Sequence, residues 1–529
     1  MDLFAPGMTV THRVGLAGLW MTLQALANDP LEKPAQNALR GAGGDWDLTP
    51  TSVVLRWQRG FAPFWKALRE QAFRVDPEGF IWLPALGRPA DAVTQAAIRQ
   101  WALLGSVLQH PRTRKADSLA KPEGSCSLEQ DDGGTPVIVR FPRVEHYAHQ
   151  DAEVRVDREN QLAGWHLPGG TVRHVGLGAA TPLAEPADRF LPLLFLPAGA
   201  LYFEAVTHHG GGTRSTYAVV LPEVQDLEVY ATTLQDGFRG ATARRMQVAG
   251  ASEAAARTLA RLNAVDRSQE MADYGGVVRA CHVVLFGGVP WSQQRTRVEV
   301  LDAVLPREAD DRRTLAHAFR ADDRPFPVRR VQPNHGAAFW DVPQAPELLA
   351  RNVLAGRPWW SGFSSFVADP TCGEHVMRWE KEGLAQMLDD TAEPERTFVQ
   401  ACHEAWQSRA GQLGDRARDE AGGNQVRQKE LFEKLYAQEF ARVRVLLLRC
   451  KSAANFRDAI TDFWTRAGRS LPSLQGQWAT VLPFLGDRRW REGRDLALLA
   501  LASYRGHGVA SGGGPTDGAQ RGLTQGNGG

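Results

Sequence analysis

Histidine beside cysteine is the pairing in this chain most suggestive of chemistry. Cys372-x-x-His375 and the adjacent Cys402-His403 together supply four side chains of the types that hold zinc. An adjacent Cys-His pair is poor geometry for one tetrahedral ion. Cys402 also lies in a helical stretch, where cysteine is commonly a small buried hydrophobe. A zinc-dependent enzyme is therefore carried only as an alternative. Cys281-His282 falls in a strand-like run, where alternation sends neighbouring side chains to opposite faces and prevents a nucleophile–base pair. His208-His209 precedes three glycines and reads as a polar loop. His12-Arg13 falls at the start of a helical run, where exposed amides and the positive dipole end can hold a phosphate. Plain surface placement is the simpler reading of that pair. No GxxxxGK[ST], HExxH, GxSxG or EF-hand pattern occurs. No catalytic residue, metal ligand or cofactor is expected.

Basic residues carry more information. From Asn424 to Arg505 there are 15 Lys/Arg against 8 Asp/Glu, a net of +7. The stretch beyond balances one Asp against one Arg, which leaves −6 for the first 423 residues of a chain whose total is +1. On a 100° wheel for Asn424–Arg449, Arg427, Lys434, Arg442 and Arg449 share one arc. Phe432, Tyr436, Phe440, Val443 and Leu447 occupy another, suited to a core. Such a helix packs on one side and shows a row of positive charge on the other, the arrangement that spaced phosphates require. The alternative is a solvated face with local glutamate partners. Arg488 and Arg489, with Arg491 and Arg494 close by, add to the basic set, and arginine binds phosphate with a two-pronged fork. Two further sets are candidates: Arg112, Arg114 and Lys115, and the Arg329-Arg330 pair.

The elements that must position these residues fall into two kinds. In a chain of 529 residues with 43% hydrophobic content, a soluble globular protein of several domains is expected. Residues 14–27 have helical periodicity, with Gly15 and Gly18 allowing a neighbour to approach closely. Helices are also expected around 64–73, 90–108 and 252–263. Residues 110–136 are polar and rich in Gly, Pro and charge, and read as a long mobile loop. PVIVRF, LPLLFLPAGALYFEAV, STYAVVLPEV, LEVYATTL, RACHVVLFGG and RTRVEVLDAVL read as strands. Without a βαβ rhythm the fold class is α+β. Strand signals vanish from Pro346, so the expected domains are 1–345 (α+β), 346–505 (a helical bundle) and 506–529, a disordered tail with 10 glycines. The most apolar run is short and holds two prolines, so no membrane span is expected. Five scattered cysteines with no CxxC suit a reducing cytosol, and the Met1-Asp2 start lacks a basic leader. A cytoplasmic location follows as an expectation.

The N-terminal stretch APGMTVTHRVGLAGLW resembles the start of a known family, through Pro6-Gly7-Met8-Thr9, His12-Arg13 and Gly15-Leu16-Ala17-Gly18-Leu19. That family is the large subunit of the CRISPR-associated Cascade surveillance complex, in its myxobacterial subtype, including the branch of the fruiting-body developmental proteins. The layout is also similar, with an α+β half followed by a helical half. The resemblance implies a non-enzymatic subunit at one end of a guide-RNA filament, with C-terminal helices like those of the complex's small subunit. It implies guide RNA and target DNA as ligands, filament-backbone and end-capping subunits as partners, and cleavage by a recruited nuclease-helicase. In the developmental branch it further implies a part in fruiting-body formation and sporulation. A protein-only regulatory scaffold is the other alternative.

Overall fold

The computed structural model describes residues 1–89, 93–108, 113–115, 123–128, 137–162, 183–209, 212–238, 246–263, 278–286, 290–291, 295–296, 299–320, 325–331, 339–369, 372–389 and 391–506. It divides into two compact units. One holds residues 1–361 with 365–383, and the other residues 362–364 with the chain from Leu384 on. The first is α+β and the second helical, as the patterning implies. The expected tail from Gly506 lies almost wholly outside the described residues.

Five strands form the centre of the first unit: β1 (Leu201–His209), β2 (Gly212–Pro222), β3 (Gln247–Val248), β4 (Ala280–Phe286) and β5 (Glu299–Val304). Their order is β3-β1-β2-β4-β5, antiparallel throughout except where β3 runs parallel to β1. Valine, phenylalanine and tyrosine fill these strands because branched and aromatic side chains suit a pleated surface. Alternation holds on β4, where Cys281 is buried and His282 turns to the other face and meets Asp302 of β5 at 2.6 Å.

Helix α1 (Val10–Asn28) is buried over most of its length. Helix α2 (Val93–Gly105) covers the sheet face that carries Tyr217. Helices α3 (Ala187–Leu194) and α4 (Leu196–Gly199) pack on α1 through its glycines. A Cβ on Gly15 would sit 2.1 Å from the Pro192 carbonyl oxygen, and one on Gly18 would sit 2.1 Å from that of Phe195. The close approach expected of these two glycines is thus realised. The strand expected over LPLLFLPAGALYFEAV starts only at Leu201, since residues 187–199 are helical. A continuous apolar run has no period that separates a strand from a buried helix. LEVYATTL is likewise helix α5 (Leu227–Phe238). Asp226 Oδ1 accepts from the Val229 amide at 2.8 Å at its start, and Leu227, Tyr230, Ala231 and Leu234 are buried at i, i+3, i+4 and i+7. The helical period outweighs the strand propensity of the residue types.

Helix α6 (Ala251–Leu262) covers the opposite sheet face, with its Ala255 carbonyl beside Cys281. Helix α7 (Ala345–Leu354) belongs with it, since the Glu347 carboxylate accepts the Ser252 and Glu253 amides at 3.1 and 2.8 Å. Helix α8 (Cys372–Trp379) is tied in the same way. Glu380, just beyond it, accepts the Gln344 and Ala345 amides at 2.7 and 2.8 Å. These caps keep residues 345–361 and 365–383 with the first unit, so compactness changes after Gly383 and not at Pro346.

The expected loop at 110–136 contains paired strands. Arg114–Lys115 pairs with Val144–His146, and Glu123–Leu128 pairs with Val137–Pro142. Phe141 then stacks on Phe80, ring centroids 3.8 Å apart, beside Ala96 and Ala97 of α2.

In the second unit, α9 (Glu395–Ala421) and α10 (Gln425–Leu448) form an antiparallel hairpin. Gly422 and Gly423 make the turn at φ 58° and 89°, which side chains disfavour. Asn424 then caps α10 by accepting the Arg427 amide at 3.1 Å. Helices α11 (Ala453–Thr465) and α12 (Trp490–Ser503) complete the unit. Among the described residues no helix is long and apolar enough to cross a membrane.

Candidate nucleic-acid interface

The apolar face of α10 is where its periodicity puts it. Val443 and Leu447 are buried, and Phe432, Tyr436 and Phe440 form a half-buried ladder against Trp406 of α9. The Trp406 indole donates to the Tyr436 hydroxyl at 2.8 Å. With this face turned inward, Arg427, Lys434 and Arg449 are exposed. Among the described residues none of the three has an ion-pair partner. Along the axis they lie about 10 Å and then about 22 Å apart at 1.5 Å per residue.

Arg442 differs from the other three and corrects the expectation. Its guanidinium donates to Glu439 at 3.0 and 3.1 Å and to Asp462 of α11 at 3.2 Å. Glu439 is 8% exposed and also accepts from Arg409 of α9 at 3.0 Å. Asp462 in turn accepts from Arg466 at 2.9 Å. Burial alone would raise the Glu439 carboxyl, but the hydrogen bonds and charges of Arg442 and Arg409 outweigh it and hold it below its usual range. The Glu439 bond, with that of Asp462, raises the Arg442 guanidinium above its ordinary value. Arg442 is a cross-link between helices, with its charge already answered. Arg489 is corrected for the same reason. It bonds Glu395 at 3.0 Å and Glu492 at 2.6 Å, and it lies 4.3 Å over the Phe484 ring.

Arg488 is exposed and without an ion-pair partner among the described residues. It belongs to a basic end of the unit. Arg494 Nη1 donates to the Cys450 carbonyl at 2.9 Å, which brings the start of α12 against the end of α10. Arg491 and Arg494 lie 5.2 and 5.3 Å from the Trp490 ring, and Arg449 and Lys451 flank Cys450. Lys451 was not singled out by periodicity, because it lies past the helix end. The contact from Arg494 is what brings it into the group.

In the first unit the candidates are less fully placed. Arg112 lies outside the described residues. Arg114 and Lys115 occupy a short strand, and Arg329 and Arg330 occupy another paired with Phe339–Asp341, but their side chains lie outside the described set. The side chains of His208 and His209 do so as well.

His12 is not on the surface. It is 2% exposed, and its Nδ1 accepts from the Thr9 hydroxyl at 2.7 Å and the Thr9 amide at 3.4 Å, which stabilises the start of α1. The ring proton then sits on Nε2, 3.9 Å from Glu185. Burial, with Arg189 nearby, lowers its pKa against the pull of Glu185. Arg13 lies 3.8 Å from Glu223, so neither residue is left to hold a phosphate.

The zinc set does not assemble. Both ring nitrogens of His375 are taken, Nδ1 by Glu380 at 2.9 Å and Nε2 by Asp341 at 2.6 Å. Cys402 is buried, which pushes its thiol up to about 12, and His403 Nε2 meets the Ala500 carbonyl at 3.0 Å. Among the described residues no three His, Cys, Asp or Glu gather to hold a metal ion.

Similarity to known proteins agrees with this division of the chain. Residues 1–194 match the DevT N-terminal domain, and residues 386–520 match the DevT C-terminal domain. The second match begins three residues from the boundary at Gly383. The CRISPR-associated protein Cas8a1/Csx13 of Myxococcus xanthus (strain DK1622) is 29% identical over 535 aligned positions, spanning 96% of this chain and 88% of that protein.

Proposed function

We propose that this chain, whose residues 1–194 and 386–520 match the DevT N-terminal and C-terminal domains, is the non-catalytic large subunit of a Cascade-type guide-RNA complex in CRISPR defence. It works in the cytoplasm beside filament-backbone and end-capping subunits, with guide RNA and target DNA as ligands. In such complexes guide pairing reads sequence, while protein reads the short flanking motif and the backbone. The helical unit holds a strand, and cleavage falls to a recruited nuclease-helicase. The developmental branch extends the same binding activity to fruiting-body formation and sporulation.

The observation that carries this reading is the set of exposed cations on the helical unit: Arg427, Lys434, Arg449, Lys451, Arg488 and Arg491. They lack carboxylate partners among the described residues, whereas Arg442, Arg457, Arg466 and Arg489 of the same unit have them. Cations left over after internal pairing are the ones free to displace counterions from phosphates.

The test is fluorescence anisotropy of the full chain with labelled single-stranded and duplex DNA of two unrelated sequences, across 50–200 mM salt. Binding should fall steeply with salt. Joint replacement of Arg427, Lys434 and Arg449 by Glu should reduce the log–log slope by about 2–3 on both sequences. Affinity that does not respond to salt, or its absence in the unmodified chain, refutes the reading. A protein-only scaffold draws on one observation, the exposed Trp478 and Leu482 near α12. Partners that survive nuclease treatment in a pull-down, from a chain that binds no DNA, would favour it.

A further inference from the structure

Helix α2 carries an arginine into the interior of the first unit. Arg99 is 7% exposed, on a helix where Ala97, Ile98, Ala102, Leu103 and Leu104 are buried with it. Among the described residues its side chain has neither a hydrogen bond nor an ion pair. Its guanidinium nitrogens are not among the fully enclosed polar atoms, so the small exposed remainder includes the charged head. The side chain is otherwise buried.

Among the described residues, the group that acts on it electrostatically is Tyr202 of β1. Tyr202 is no counter-ion. Its hydroxyl donates to the Pro197 carbonyl at 3.2 Å, and burial pushes the phenol well above its ordinary pKa, so it stays neutral. Burial draws the Arg99 guanidinium down to about 10, which leaves it charged at neutral pH. The protein treats other arginines of this unit differently. Arg257 is buried against Glu253, and Arg74 meets the buried Glu32 at 2.7 Å. A buried charge without a partner is strongly unfavourable, so an unanswered guanidinium marks a place where the partner comes from outside.

We infer that Arg99 anchors an anion site completed by a phosphate of the bound nucleic-acid backbone. The inference rests on the nucleic-acid reading proposed above and adds a contact in the first unit. The nucleic acid of that reading supplies the anion as phosphate, and the carboxylate of a partner protein is the outcome the experiment must exclude. The planar fork matches two phosphate oxygens at once.

The experiment compares the full-length chain with Arg99→Met and Arg99→Lys. Removing an unpaired buried charge should raise the thermal midpoint of the free protein, whereas removing a paired structural arginine would lower it. In anisotropy with labelled single-stranded and duplex DNA, Arg99→Met should bind about tenfold more weakly, with a salt slope smaller by about 0.7–0.9. Arg99→Lys should retain the slope and lose part of the affinity. If the unmodified chain binds DNA and Arg99→Met matches it in affinity and slope, this inference falls while the wider reading stands. If the unmodified chain binds no DNA, the wider reading falls first. A second arm adds inorganic phosphate. Stabilisation of the unmodified chain that Arg99→Met lacks, with equal DNA affinities, assigns the site to free phosphate and overturns the backbone source. A lower midpoint for Arg99→Met, or loss of a partner subunit with DNA binding intact, overturns the phosphate site.

Discussion

Arg442 and Arg449 share one helix face by sequence, and the structure gives them different surroundings. Replace each by methionine. In Arg442→Met, Glu439 loses two of its bonds and keeps Arg409, while Asp462 keeps Arg466. Hydrogen bonds to charged groups contribute roughly 1.5–3 kcal/mol each when buried. The Arg442 side chain is 34% exposed, so solvent discounts that heavily, and the net loss is about 2 kcal/mol. For a unit of this size that lowers the thermal midpoint by roughly 6 °C. Arg449→Met touches no partner and should stay within about 0.5 kcal/mol of the unmodified chain. Binding should show the reverse, with a salt slope smaller by about 0.7–0.9 for Arg449→Met and unchanged for Arg442→Met. Acid provides a second reading of the same network. Glu439 has a depressed folded pKa, so its stabilisation is full above the ordinary carboxylate value and is lost as pH falls through the folded one. Arg442→Met should flatten that acid limb. Calorimetry and salt-dependent anisotropy on the two variants decide the matter. An Arg442→Met protein as stable as the unmodified chain, but with a reduced salt slope, would refute the assignment of Arg442 to the fold.

Two further outcomes follow from the first unit. Gly15→Ala places a methyl 2.1 Å from the Pro192 carbonyl oxygen, so the roughly 1 kcal/mol gain in helix propensity should be outweighed by overpacking, for a net loss of about 1–2 kcal/mol in chemical denaturation. Equal or greater stability would mean that α3 can move away from α1. Burial alone would lower the His375 pKa, but the bonds to Asp341 and Glu380 raise it to about 9. Its stabilisation is therefore complete below about 6.5 and is lost as pH rises to about 9. The thermal midpoint should fall across that window, and His375→Gln should remove the slope; a slope that persists in the variant would assign it to another group.

Local pattern was enough for much of this protein. The 3.6-residue period of α1, α6, α10 and α11, the alternation on β4 and the glycine pair of α1 are all properties of neighbouring residues, so they are legible without the fold. The separation of an α+β half from a basic helical half is legible for the same reason. What a charged side chain meets is not local. Arg489 finds Glu395 across 94 residues and Arg442 finds Asp462 across 20, so periodicity places both on a basic face while tertiary packing neutralises them. His12 looks like a surface residue until Thr9 and Glu185 enclose it. The apolar run at 187–199 has no period to read, and only packing on α1 makes it helical. Sequence determined the elements with a clear period and where positive charge is abundant. Tertiary structure alone decided which of those charges are already answered and which, Arg427, Lys434, Arg449 and the buried Arg99 among them, meet no carboxylate among the described residues, because a counter-ion is a matter of distance in space and not along the chain.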